Sequence, residues 1–193
     1  TSGGYAGTVD GAGSLTKLGT GSYTLSGTST YTGPTTVTSG TLISSGLLGT
    51  TDITIASGAV MQFSRTTGPY QFAGNISGDG TLTKTVLGAT LQLLGDVNLP
   101  TGGTTVSSGT VTVGNGGTTG TLAGPVSLGT TTANLTFNRS DSSTYTGVIS
   151  GAGTVTKLGA GTVTMVGDMT YTGNTTVSAG TLALGDGGTT GSI

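Results

Sequence analysis

Seven aspartates, three lysines and two arginines are the only side chains of this 193-residue chain that carry charge at neutral pH; glutamate, histidine and cysteine are absent. Imidazole and thiolate chemistry are therefore excluded, and with them the usual nucleophile–base pairs and zinc sites. What remains possible is carboxylate chemistry. Glycoside hydrolysis needs two carboxyl groups within about 5–10 Å of one another. The aspartates are Asp10, Asp52, Asp79, Asp96, Asp141, Asp168 and Asp186, and they are scattered among glycine-rich turns. Asp10 and Asp79 hold nearly the same place in an internal repeat, where Ser150 stands in the next copy. That pattern reads as turn-capping. Asp186 lies in "GDGG", but the parallel stretch at Gly114 reads "GNGG", and one carboxylate offers too few oxygens for calcium. No catalytic, cofactor-binding or metal-ligating residue is expected, and no enzyme.

The lysines are more informative. Lys17, Lys84 and Lys157 all close the same tripeptide, "LTK" or "VTK". In a strand with leucine or valine inward, strict alternation turns the lysine inward too. Three unpaired buried ammonium groups would be very costly. The expectation is that each strand ends at its threonine and the lysine reaches out at a corner, giving a sparse line of charge along the molecule. Arg65 in "QFSRT" and Arg139 in "TFNRS" also recur as a pair.

Repetition positions these residues. "YAGTVDGAGSLTK" starts at Tyr5, "FAGNISGDGTLTK" at Phe72 and "YTGVISGAGTVTK" at Tyr145. The chain is thus written in units of about 70 residues. The expected organisation is one segment, 1–193, with repeat units 5–71, 72–144 and 145–193, the last incomplete. Within a unit, a glycine followed by a β-like run recurs about every 22 residues, at Gly13, Gly40, Gly58, Gly80, Gly109, Gly153 and Gly180. That spacing suits one turn of a solenoid, and three turns make a unit. The expected fold is all-β, a parallel β-helix of about eight coils and roughly 40 Å, at about 4.8 Å per coil. Leu42, Val60, Leu82, Val111, Leu135, Val155 and Leu182 are expected to point inward. Only 5% of the residues are aromatic, which is lean for the facing sheets of a β-sandwich, the alternative fold.

The stretches "GAGSLTKLGTGSYTLSGTSTYTGPTTVTSGTLI" at Gly11–Ile43 and "GAGTVTKLGAGTVTMVGDMTYTGNTTVSAGTLAL" at Gly151–Leu184 resemble the passenger-associated transport repeat of bacterial autotransporters, also called the autotransporter-associated β-strand repeat. Lys17, Tyr31, Thr32, Gly33, Thr36, Gly40 and Leu42 take the family positions in one copy, and Lys157, Tyr171, Thr172, Gly173, Thr176, Gly180 and Leu182 in the other. The middle copy has "GDGTLTK" but no "YTG", so the tyrosine reads as packing. The resemblance implies a right-handed β-helix, an extracellular or outer-membrane-linked place, and a scaffold role.

A net charge of −2 gives no electrostatic case for nucleic acid. No run reaches the ~18 apolar residues of a membrane helix, and no signal peptide is visible in the first residues. The reading is a stalk or passenger segment that extends or displays adhesive regions of a surface protein. Its expected partners are neighbouring coils, with end-to-end self-association; a host or matrix ligand stays open, and the regular features look too thin for a binding pocket. The alternatives are a subunit of a self-assembling extracellular fibre and a scaffold for a polysaccharide-acting enzyme.

Overall fold

The computed structural model describes residues 2–49 and 51–193. The chain winds as a parallel β-solenoid of short strands. A nine-stranded sheet runs along the whole rod, from Gly3–Tyr5 to Thr170–Tyr171, and forms the first face. The second face is a six-stranded sheet from Pro69–Phe72 to Thr175–Val177. The third face is a six-stranded sheet from Leu15–Lys17 to Thr121–Ala123, followed in chain order by the three strands Ser143–Tyr145, Thr162–Met165 and Thr181–Leu184. Every ladder pair is parallel, as successive turns of one coil must be. On the first face the pairing steps from Thr41 to Val60, Thr81 and onward at a nearly constant interval. One turn of the coil is thus about 21 residues, within the range of solenoid repeats. The β-helix read from the sequence is the architecture found, with nine turns rather than eight, because Gly3–Tyr5 already forms a strand.

Alternation fills the interior. Along the first face one inward column runs Leu42, Met61, Leu82, Thr104, Val126 and Ile149. All six are almost wholly buried. Of the seven residues expected inward, Leu42, Leu82, Val111, Leu135 and Val155 are buried, and Leu182 is partly buried. Val60 is a correction. It pairs with Thr41 and Thr81 in an outward column, and Met61 takes the inward place. "GAVMQF" carries one residue more after its glycine than "GTLIS", and a one-residue slip turns a strand over. The inward residues also occupy more than one column. Leu42 and Leu82 lie on the first face, Val111, Leu135 and Val155 on the second, and Leu182 on the third.

Corners are tight enough to select glycine. Gly40 and Gly180 hold the same repeat position with φ of 66° and 69°. A Cβ on either would collide with the backbone of the coil beneath, at Gly21 or Gly161.

Thr104 interrupts the inward column with a buried hydroxyl that has no partner among the described residues. Leaving such a group unsatisfied costs about 1–3 kcal/mol. Thr104→Val, which keeps the shape and removes the hydroxyl, should raise stability by about 1 kcal/mol, read as a shift of the urea midpoint at constant slope. A lowered midpoint would show that the hydroxyl is bonded in solution.

Candidate functional site

The motif carrying the lysines is itself a stacked pair of strands. Leu15–Lys17 lies under Thr35–Val37, Thr81–Lys84 under Thr104–Val106, and Thr154–Lys157 under Thr175–Val177. Each lysine stands directly beneath a valine: Val37, Val106 or Val177. Lys84 stands on Phe63 and Lys157 on Phe137. The lysines are buried, at 8%, 2% and 0% exposure for Lys17, Lys84 and Lys157, which overturns the outward placement expected for them. Alternation prevails because the corner supplies oxygens. Lys17 Nζ donates to Leu18 O at 2.9 Å, Gly19 O at 2.7 Å and Ser39 O at 3.1 Å. Lys157 Nζ donates to Gly159 O and to Ala179 O, the latter at 3.2 Å, and Lys84 Nζ donates to Val86 O. In the first and last copies the ammonium thus ties a corner to the corner above it.

Nor do the lysines form a line. Lys17 is on the third face, Lys84 on the first and Lys157 on the second. A repeat of about 70 residues is three turns of about 21 residues plus roughly one face. Each copy therefore sits one face further round the rod.

Burial lowers the pKa of Lys84 and Lys157 from 10.5. Between those lowered values and 10.5 the unfolded chain binds more protons than the folded one, so stability rises with pH. Burial acts in the opposite sense on tyrosine stability at high pH. It pushes Tyr70 up to about 12, against the bond with Leu48, and raises Tyr31 and Tyr145 as well. Above about 10 the folded chain keeps phenol protons that the unfolded chain releases, and stability falls. Urea midpoints should climb on the alkaline side of neutrality, peak near about pH 10 and then drop. Lys84→Met should flatten the climb and Tyr70→Phe the drop; a profile unchanged by both would mean these groups are solvated.

The aspartates are not brought together. Asp52 Oδ1 accepts from Asn75 N–H at 2.8 Å, Asn75 Oδ1 from Asp96 N–H at 2.8 Å, and Asp96 Oδ1 from the Thr121 hydroxyl at 2.7 Å. This corner ladder joins coil to coil, and Asn75 separates the two carboxylates. Asp79 accepts from Thr101, and Asp168 from Gly191 and Ser192, likewise one coil on. Asp79, expected to cap its turn, bonds to the next coil instead, while Asp186 accepts from Gly188 N–H two residues ahead, a turn-capping geometry. No group of three or more potential metal-ligating side chains occurs among the described residues.

Two clefts were missed by sequence reasoning. Both lie where a new sheet starts. Among the described residues, the second face has no ladder beneath Pro69–Phe72. Below it, a groove of about 1050 Å³ opens between Tyr31, Pro34, Leu47, Leu48, Pro69 and Tyr70. The Tyr70 hydroxyl substitutes for the missing ladder, donating to Leu48 O at 3.0 Å and accepting from Leu48 N–H at 3.1 Å. On the third face, Thr121–Ala123 and Ser143–Tyr145 belong to separate sheets, and a cavity of only about 210 Å³ lies between them. Arg139 fills that gap. Its Nη1 donates to Gly120 O at 2.6 Å, while Nε and Nη2 fork the Asp141 carboxylate at 2.9 and 2.7 Å. Tyr145 donates to Gly124 O on the coil beneath, at 2.8 Å. The Arg65 and Arg139 motifs thus mark equivalent sheet starts, one face apart.

Comparison with known families fits the stacked-pair geometry. The family described as Passenger-associated-transport-repeat matches residues 15–43 and 155–184. Over these two segments the chain is similar to passenger-associated transport repeats. Each matched segment covers one such pair, Thr154 excepted: Leu15–Lys17 under Thr35–Val37, and Thr154–Lys157 under Thr175–Val177. The first match ends within the strand that follows, Thr41–Ser44, and the second at the end of Thr181–Leu184. Residues 82–113 lie outside both matches, yet Lys84 and Val106 repeat the pairing. Where the other copies have Tyr31 and Tyr171 bonded to Thr35 and Thr175, the middle copy buries Leu99, so the tyrosine packs rather than binds. Adhesin BmaC autotransporter, of Brucella suis biovar 1 (strain 1330), is 43% identical over 93 residues. The aligned part is 46% of this chain and 3% of that protein. No solved structure matches.

Proposed function

We propose that the chain is a stalk segment of a longer extracellular bacterial surface protein, built to extend and display other regions. The observation that carries this reading is the stacked pair of the repeat, copied three times with a one-face advance. Each unit lengthens the rod by three strand spacings, about 15 Å, without enlarging the core. The similarity to an autotransporter adhesin supports the cell-surface setting. Lys17, Lys157, Asp52, Asp96 and Asp168 each bond to a neighbouring coil, which supports a structural role. Inserting a further copy of residues 82–154 after residue 154 tests the stalk. Small-angle scattering should show a rod about 15 Å longer with an unchanged cross-section. A separate globule or an unfolded insert would defeat it.

A further inference from the structure

We propose that the Arg65–Thr66 peptide bond is a processing site for an arginine-cleaving endopeptidase of the trypsin type, and that the cut leaves a nicked rod whose two parts stay docked. Such an enzyme must take a basic side chain into its specificity pocket and hold the carbonyl of the same residue in its oxyanion hole. All five basic residues are described, and four of them fail on both counts. Lys17, Lys84, Lys157 and Arg139 are 8% exposed or less. Their carbonyls are already bonded to the coil above. Lys17 O accepts from Thr38 N–H at 3.0 Å, Lys84 O from Ser107 N–H at 2.8 Å, Lys157 O from Ser178 N–H at 2.8 Å and Arg139 O from Gly161 N–H at 3.0 Å.

Arg65 differs in each respect. It is half-buried, and Thr66, Thr67, Gly68 and Pro69 after it are exposed. Its carbonyl accepts no backbone bond among the described residues. Its side chain makes one bond, Nε donating to Thr67 O at 3.0 Å, within the same loop. That loop joins Val60–Phe63 of the first face to Pro69–Phe72 of the second, and the bond to be cut lies in neither strand. Exposed loops of small polar residues are where nicking concentrates, because a local opening suffices to admit the enzyme. Water adds across the C–N bond, leaving a carboxylate on Arg65 and an ammonium group on Thr66. The turns on either side of the cut stay together through contacts that do not need the link. Val60–Phe63 pairs with Thr81–Lys84 and Ile53–Ile55 with Ile76–Gly78, and the Phe63 ring lies 5.6 Å from that of Tyr70 and 5.8 Å from that of Phe72.

Limited digestion of the whole chain in native buffer, read by intact mass, tests the site. Trypsin should give residues 1–65 and 66–193 before any other product, and a lysine-specific endopeptidase should leave the chain whole. Arg65→Gln should remove the trypsin cut. Arg65→Lys should open the same bond to the lysine-specific enzyme, which separates recognition of this side chain from loosening of the loop. The nicked parts should co-elute on gel filtration where the intact chain does, and separate only in urea. A first cut after Lys17, Lys84, Lys157 or Arg139 overturns the site. So does an Arg65→Gln chain digested no more slowly than the parent, or an Arg65→Lys chain that the lysine-specific enzyme leaves whole. Pieces that part in native buffer overturn the docked rod.

Discussion

Leu82→Ala should lower stability by about 2–5 kcal/mol, the range for emptying a leucine site that cannot collapse. Leu82 is fully buried, between Met61 below and Thr104 above. Those neighbours cannot close the gap, because backbone ladders on the coils above and below hold them one strand spacing away. A solenoid is stable only through contacts between adjacent turns. A cavity in a central turn therefore weakens both interfaces of that turn, and the denaturation slope should fall as the two halves of the rod uncouple. Val60→Ala is the control. Val60 faces outward, and its truncation should cost less than about 1 kcal/mol. Equal losses at both positions would show that the register on this face is slipped by one residue.

That control exists because of the one place where the marker glycines misled. Counting from glycine assigns Val60 inward; counting from the ladder assigns Met61. Glycine spacing reports the length of a turn well, since the tight corners recur once per turn. It does not report where along the corner the next strand begins. The same gap in information hid the rotation of the repeat. The steps from Lys17 to Lys84 and on to Lys157 are visible in the sequence, but their excess over three turns has meaning only once the turn length is known. The clefts were legible in part. The aspartate two residues after Arg139, absent after Arg65, stands in the sequence, but nothing there shows that both motifs sit at the start of a sheet.

The lysines show alternation and solvation cost in competition, and Lys157 lets the two be separated. Alternation places its side chain inward between Phe137 and Val177. The cost of burying the ammonium is offset by the Gly159 and Ala179 carbonyls, oxygens that belong to corner backbone and so leave no mark on the side-chain sequence. Lys157→Met keeps an unbranched apolar stem in that column and removes the charge. Replacing a buried ion by a side chain of similar volume is often close to neutral, so its stability should stay within about 1 kcal/mol of the parent near pH 7, with a shallower alkaline climb. Lys157→Glu keeps a charge of the opposite sign and aims it at the same carbonyls, where it finds no donor. It should lose about 3–5 kcal/mol, the scale of an uncompensated buried charge. The difference between the two variants isolates the electrostatics of the cage from the packing of the stem, because both remove the lysine. Urea denaturation of both at pH 7 decides it: a glutamate tolerated as well as the methionine would place the ammonium in solvent, and would return the one charge that every copy of the repeat keeps to the outside of the rod.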